Sequence, residues 1–170
     1  MKLPLLIAVC AGLIVSGAVQ AGEIKLDQRF AGIGTQTAVD TNDDGTFATA
    51  FSFQMRGSPG RATSEALGEF VPAAPNDCPD GALQNDLLLQ SFVDLFNDGS
   101  MLFFVTTAGH SCVTFVPFEI TCELEGDIVG GTGRFVGATG SWRVECEIFP
   151  VGAFSTATTG TMKGRIVVPD

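Results

Sequence analysis

Basic residues are scarce in this chain. Its 170 residues include 9 Lys and Arg against 19 Asp and Glu, a formal charge of −10. Gripping phosphate takes clustered Lys and Arg that displace counterions. Nucleic acid and anionic membrane surfaces are therefore excluded as partners. The acid is scattered rather than gathered in a tail, so it reads as a source of solubility. Histidine is scarcer still: His110 is the only one. A Ser-His or Cys-His nucleophile needs a base beside it. Ser111 would point to the opposite face of a strand from His110. Cys112 would share its face but is expected to be oxidised. His110 is accordingly read as a loop or surface residue, not a catalytic one. No C-x-x-C spacing occurs, and the one histidine lies two residues from Cys112, which argues against zinc. No segment after residue 21 is long and apolar enough to cross a bilayer. No helix of ordinary length is expected anywhere.

What is present begins with a leader. Lys2 is followed by an apolar run over 3–15 and by Ala-Val-Gln-Ala at 18–21. A basic start, an apolar middle and small residues at −3 and −1 describe a secretory signal peptide over 1–21. Cleavage after Ala21 leaves 22–170 as one domain, with 8 basic and 19 acidic residues. The expected location is secreted or, in a bacterium, periplasmic. Four cysteines remain: Cys78, Cys112, Cys122 and Cys146. An even number in an exported chain points to disulfides.

The stretch from Ile120 to Ile148 chooses among the three possible pairings. Thr121, Glu123, Glu125 and Asp127 alternate with Cys122, Leu124, Gly126 and Ile128. Ser141, Arg143, Glu145 and Glu147 alternate with Trp142, Val144, Cys146 and Ile148. Both are period-2 patterns of strands with one wet face. An antiparallel fold about position 134 sets Cys122 opposite Cys146, Leu124 opposite Val144 and Gly126 opposite Trp142. A one-residue slip would oppose apolar and polar faces. The expected bridges are Cys122–Cys146 and, by remainder, Cys78–Cys112. On the wet face Glu125 meets Arg143, and Glu123 meets Glu145. The acidic row looks like paired carboxylates, but its parity puts it outside, where nothing shifts a pKa. The connecting loop holds Gly130, Gly131, Gly133 and Gly137. It lacks the crossover helix and distal acid of a dinucleotide fingerprint.

Elsewhere, a strand is expected around Phe30 to Val39. Asp40, Asn42, Asp44 and Gly45 match the first half of a calcium loop, but Phe51 stands where its bidentate Glu belongs. A hairpin turn is the preferred reading; calcium held by Asp40, Asn42 and Asp44 is the alternative, and no other cofactor is expected. Thr46 to Arg56 reads as a strand with Phe47, Phe51, Phe53 and Met55 on one face. Residues 57–82 hold Pro59, Pro72, Pro75 and Pro79 and are expected as a long loop tied down by Cys78, with a short helical turn over 62–70. Leu87 to Phe96 and Met101 to Thr107 form a hairpin of apolar strands. Cys112 to Ile120 reads as one strand bent at Pro117. Phe154 to Val168 closes the domain. Strands this short and this regular describe an all-β protein, either a barrel or a β-sandwich.

The run Val129-Gly-Gly-Thr-Gly-Arg-Phe-Val-Gly-Ala-Thr-Gly140 resembles the loop of plant dirigent proteins and allene oxide cyclases. It is more similar still to small exported bacterial proteins sharing their barrel. The close match covers about a dozen residues, and a looser one of strands and turns runs from about Gly22 onward. The resemblance implies a single antiparallel β-barrel of eight strands with an apolar interior, and no active-site residue can be carried over. In such a barrel Phe47, Phe51, Phe53, Phe92, Phe103 and Trp142 would line the inside. Asp94, sharing its parity with Phe92 and Phe96, would be the one acid among them. A barrel of this size is filled by side chains or holds one small ligand. The expected function is an exported binding or interaction module, not an enzyme, that takes a small apolar ligand. The alternative is a dirigent- or cyclase-like protein acting on an apolar substrate inside the barrel.

Overall fold

A computed structural model describes residues 22–40, 43, 45–74 and 77–169. The expected leader over 1–21 lies outside the described residues. Eight strands follow one another: β1 (Gly22–Gln36), β2 (Thr49–Ser58), β3 (Ala62–Ala73), β4 (Leu83–Phe96), β5 (Met101–Phe115), β6 (Phe118–Gly131), β7 (Thr139–Gly152) and β8 (Ser155–Val168). Each pairs antiparallel with the next, and β8 returns to β1 to close the ring. The sandwich alternative is thereby overturned, because a ring with no free edge leaves no second sheet. Even-numbered residues face inward on β1, β6, β7 and β8, as in Leu26-Gln28-Phe30 and Cys122-Leu124-Gly126-Ile128.

The β6–β7 register is the one the alternation demands: Cys122 pairs with Cys146, Leu124 with Val144 and Gly126 with Trp142. Trp142 lies against the bare backbone of Gly126, where a Cβ would approach the indole to 2.9 Å. Its Nε1–H donates to the Asp127 carbonyl at 3.3 Å. On the wet face Arg143 reaches diagonally to Glu123, Nη2 to Oε2 at 2.6 Å, rather than straight across to Glu125. That choice screens the Glu123–Glu145 repulsion, the less favourable pair of the hairpin.

Two expected elements differ. Residues 62–70 form neither a helical turn nor part of a long loop; they belong to β3. The inward positions there are Ala62, Ser64, Ala66 and Gly68, so small that the strand shows no apolar stripe. The β3–β4 connection shrinks to 74–82. Likewise 112–120 is not one bent strand: Val116 and Pro117 make the turn between β5 and β6. Pro117 thus sits where a missing N–H costs nothing.

One end of the barrel is stoppered. The β6–β7 loop makes a single 3-10 turn, Gly133–Phe135, that tips Phe135 back into the barrel at 0% exposure. Gly133 adopts φ +59°, and a Cβ there would press on the Ser100 hydroxyl, so a larger residue would lift the turn. The Phe135 ring lies 5.0 Å from that of Phe96. The Arg134 guanidinium covers both rings at 4.6 and 5.1 Å and pairs with Asp98 at 3.3 Å. Leu26, Leu102 and Ile166, all fully buried, complete the stopper.

Candidate functional site: the cavity in the barrel

Above the stopper the interior opens into an apolar slot that runs toward the opposite end. Its walls are phenylalanine. Phe30 meets Phe53 edge-on at 5.1 Å, and Phe51 stacks on Phe53 at 5.6 Å. Deeper, Phe92 stacks on Phe104 at 4.3 Å and meets Trp142 in a T at 5.0 Å. Phe70, Leu124, Val144 and Ile148 complete the sides, with the Cys122–Cys146 bridge set into the wall. The free space is about 50 Å³. That holds a few waters. A larger occupant fits only if the surrounding side chains move aside.

The slot is not wholly apolar. Ser64, Gln90 and Thr158 lie on its wall. Gln90 Oε1 and Thr158 Oγ1 are buried with no hydrogen-bond partner. Directly across the β3–β4 pair from Ser64 stands Asp94, fully buried. Neither Asp94 oxygen has a hydrogen-bond partner. Desolvation pushes its pKa from 3.8 up to about 7, while the Ser64 hydroxyl opposite works the other way. Ser64 is close enough to favour the carboxylate without making a hydrogen bond of good geometry to it. Gln28, also buried, donates to the Gly60 carbonyl at 3.2 Å but leaves its Oε1 unmatched. Asp94 thus stands beside Ser64 of the cavity wall, where burial favours its protonated form.

Of the aromatic residues expected to line the barrel, Phe51, Phe53, Phe92 and Trp142 do so. Phe47 does not. It is 43% exposed, and Ala48 takes the inward place, bonded to Val39 and Thr37 just before β2 begins. The strand parity breaks between them. Phe103 is also misplaced: Leu102 and Phe104 point inward, and Phe103 lies half-buried on the outer face near Val129. Met101 to Val105 is apolar on both faces, so parity carried no signal there. The register shift at Phe103/Phe104 marks the spot. Phe30 and Phe70 line the slot and were not expected there, while Phe104 backs Phe92 without lining it. Only Phe30 had a readable signal, the alternation of Leu26, Gln28 and Phe30. Glu69 was missed as well. It is fully buried at the β3 bulge, where it accepts from the Thr46 hydroxyl at 3.2 Å.

Both expected disulfides are present, with Cα–Cα distances of 5.5 Å for Cys78–Cys112 and 5.0 Å for Cys122–Cys146. His110 lies near the first, the three potential donor atoms falling within 4.8 Å of one another. Both sulfurs are committed to the bridge, so no thiolate is available to a metal. Asp40 accepts from the Gly45 N–H at 2.9 Å, the geometry of a turn. Asn42 and Asp44, the other expected calcium ligands, lie outside the described residues.

No family model and no curated protein sequence matches the chain. Solved structures of similar fold include two dirigent proteins. One is the pterocarpan synthase dirigent protein GePTS1, with TM-score 0.46 and 13% identity over 92% of this chain and 96% of that one. The other is the pterocarpan synthase dirigent protein PsPTS1, with TM-score 0.45 and 15% identity over 87% and 96%. The likeness is one of barrel shape and says nothing of chemistry.

Proposed function

We propose that this is a small exported β-barrel protein that binds a small, largely apolar molecule inside its barrel without converting it. One observation carries the reading: a phenylalanine-lined slot, closed below by the Phe135 stopper and open at the other end. The unpartnered Gln90 and Thr158 oxygens favour a ligand with one hydrogen-bond donor, such as a phenol or an alcohol. The leader-like sequence at the start of the chain and the two disulfides support export.

A second reading is favoured by Asp94 alone. A buried acid that titrates near neutrality can lend a proton to a substrate. On that reading the protein is dirigent- or cyclase-like and guides an apolar substrate in the barrel.

The test is native mass spectrometry of the mature protein, purified from a periplasm without reduction, joined to a fluorescence titration of Trp142 with apolar phenols. A retained mass of about a few hundred daltons, or a saturable change in emission that Ala66→Phe abolishes by filling the slot, is the expected result. A bare chain with no titratable response sinks the binding reading. New product from the bound molecule, lost in Asp94→Asn, would move the assignment to the second.

A further inference from the structure

Charge is divided unevenly between the two ends of the barrel. None of the 8 Lys and Arg of residues 22–170 lies beyond mid-strand toward the open end, and β3 to β6 hold none at all. The connections at the open end carry Asp40, Asp43, Asp77 and Asp80 and no base. A mouth of one sign concentrates the opposite sign, so this one draws cations in and turns anions away.

The interior has the same bias. Among the described residues no Lys, Arg or His is buried. The buried side-chain atoms without a hydrogen-bond partner are all oxygens, and they include both oxygens of Asp94 and Oε1 of Gln90. Asp94 is the decisive one. It is fully buried and faces inward between Phe92, which lines the slot, and Phe96 of the stopper. It stands across from Ser64 on the slot wall, and so marks the floor of the slot. An ionised carboxylate accepts hydrogen bonds and donates none. Buried alone it is costly, and a cation brought to it offsets that cost where a neutral donor offsets only part. A cation also gains from the faces of aromatic rings. Phe92, two residues from Asp94, and Trp142, 5.0 Å from the Phe92 ring, supply them. An anionic ligand such as a fatty acid would meet acceptors only.

We propose that the slot takes a protonated amine with an apolar body, its ammonium paired with the Asp94 carboxylate at the floor. The inference rests on the cavity reading above and narrows its donor-bearing ligand to a cation. The apolar body lies among the phenylalanines toward the mouth. Gln90 and Thr158, nearer the mouth on the slot wall, offer acceptors on the way in.

The test is calorimetric titration of the mature, disulfide-intact protein with benzylamine, benzyl alcohol and benzoate, which share a ring and differ in the charge of the head. Benzylamine should bind about ten- to hundredfold tighter than benzyl alcohol, the worth of one hydrogen bond to a charged group, and benzoate should not bind. The preference should vanish in Asp94→Asn, which keeps the shape and removes a buried charge, and persist in Glu125→Gln, which removes a charge from the outer face. It should also survive high salt, because a buried pair is little screened. Benzyl alcohol binding as tightly as benzylamine overturns the inference and leaves the cavity reading standing. An amine preference that salt abolishes, or that Asp94→Asn retains, also overturns it, because the cation then sits on the acidic mouth. If none of the three binds, the inference and the cavity reading fall together.

Discussion

Asp94 should make this protein less stable as the pH rises toward neutrality. Its pKa is about 7 in the folded chain and near 3.8 when unfolded. Below pH 4 both states hold the proton, and the residue is neutral in the balance. Between the two values the unfolded chain releases its proton and the folded chain keeps it. Folding then binds a proton, and stability falls with rising pH. Above about pH 7 both states are ionised and the penalty is constant. About three pKa units at 1.36 kcal/mol each set the full penalty near 4 kcal/mol. Water reaching the carboxylate through the cavity would reduce it. Asp94→Asn removes the charge and keeps the shape. Near pH 4 the variant and the parent should melt alike. At pH 8 the variant should be more stable by up to about 4 kcal/mol, or roughly 8–16 °C in Tm for a domain of this size. Thermal melts followed by circular dichroism from pH 4 to 8 read the difference directly. A constant Tm gap across that range would refute the reasoning, because it would mean the carboxylate is not the source.

Further outcomes follow from the core and the bridges. Phe104→Ala should cost about 3–5 kcal/mol, since the ring is fully buried against Phe92. Phe103→Ala, on the outer face, should cost well under half as much; equal losses in urea melts would reverse the assignment of faces. Cys122→Ser/Cys146→Ser opens a loop with a sequence separation of 24 and should lose about 3.5 kcal/mol on loop entropy alone. Cys78→Ser/Cys112→Ser, with a separation of 34, should lose a similar amount, and denaturant midpoints check both. Because the first bridge is part of the cavity wall, its loss should also weaken ligand uptake, whereas loss of the second should not.

What could be read from the residues alone was whatever the strand period exposes. The β6–β7 hairpin alternates cleanly, so its register, both disulfides and the place of Trp142 were all legible. The wall at Phe51 and Phe53 came from the same rule. The rule failed where alternation vanishes. At β3 the inward side chains are too small to stand out. In Met101 to Val105 both faces are apolar, so Phe103 and Phe104 looked equivalent. At Phe47 the parity slips just before the strand begins. Asp94 was legible as the lone acid in an apolar run, but its isolation from any hydrogen-bond partner was not, because that depends on what β3 sets opposite it. The stopper was hidden for another reason. Phe135 lies in a glycine loop that reads as surface, and only the 3-10 turn sends it inward.

Closure of the ring has a practical side. Gly22, the first residue of β1, pairs with Val168, the last of β8, at the stoppered end. A short linker could therefore join the two positions, and the chain could be reopened at the Asn97–Ser100 turn with every strand still beside its present neighbours. Such a circular permutant would present its new ends on the same side as Gly22 and Val168. A fluorescent tag or a surface tether attached at either pair of ends would hang from the base of the barrel and leave the mouth unobstructed. The molecule can thus be immobilised in one orientation, mouth outward, by its own topology.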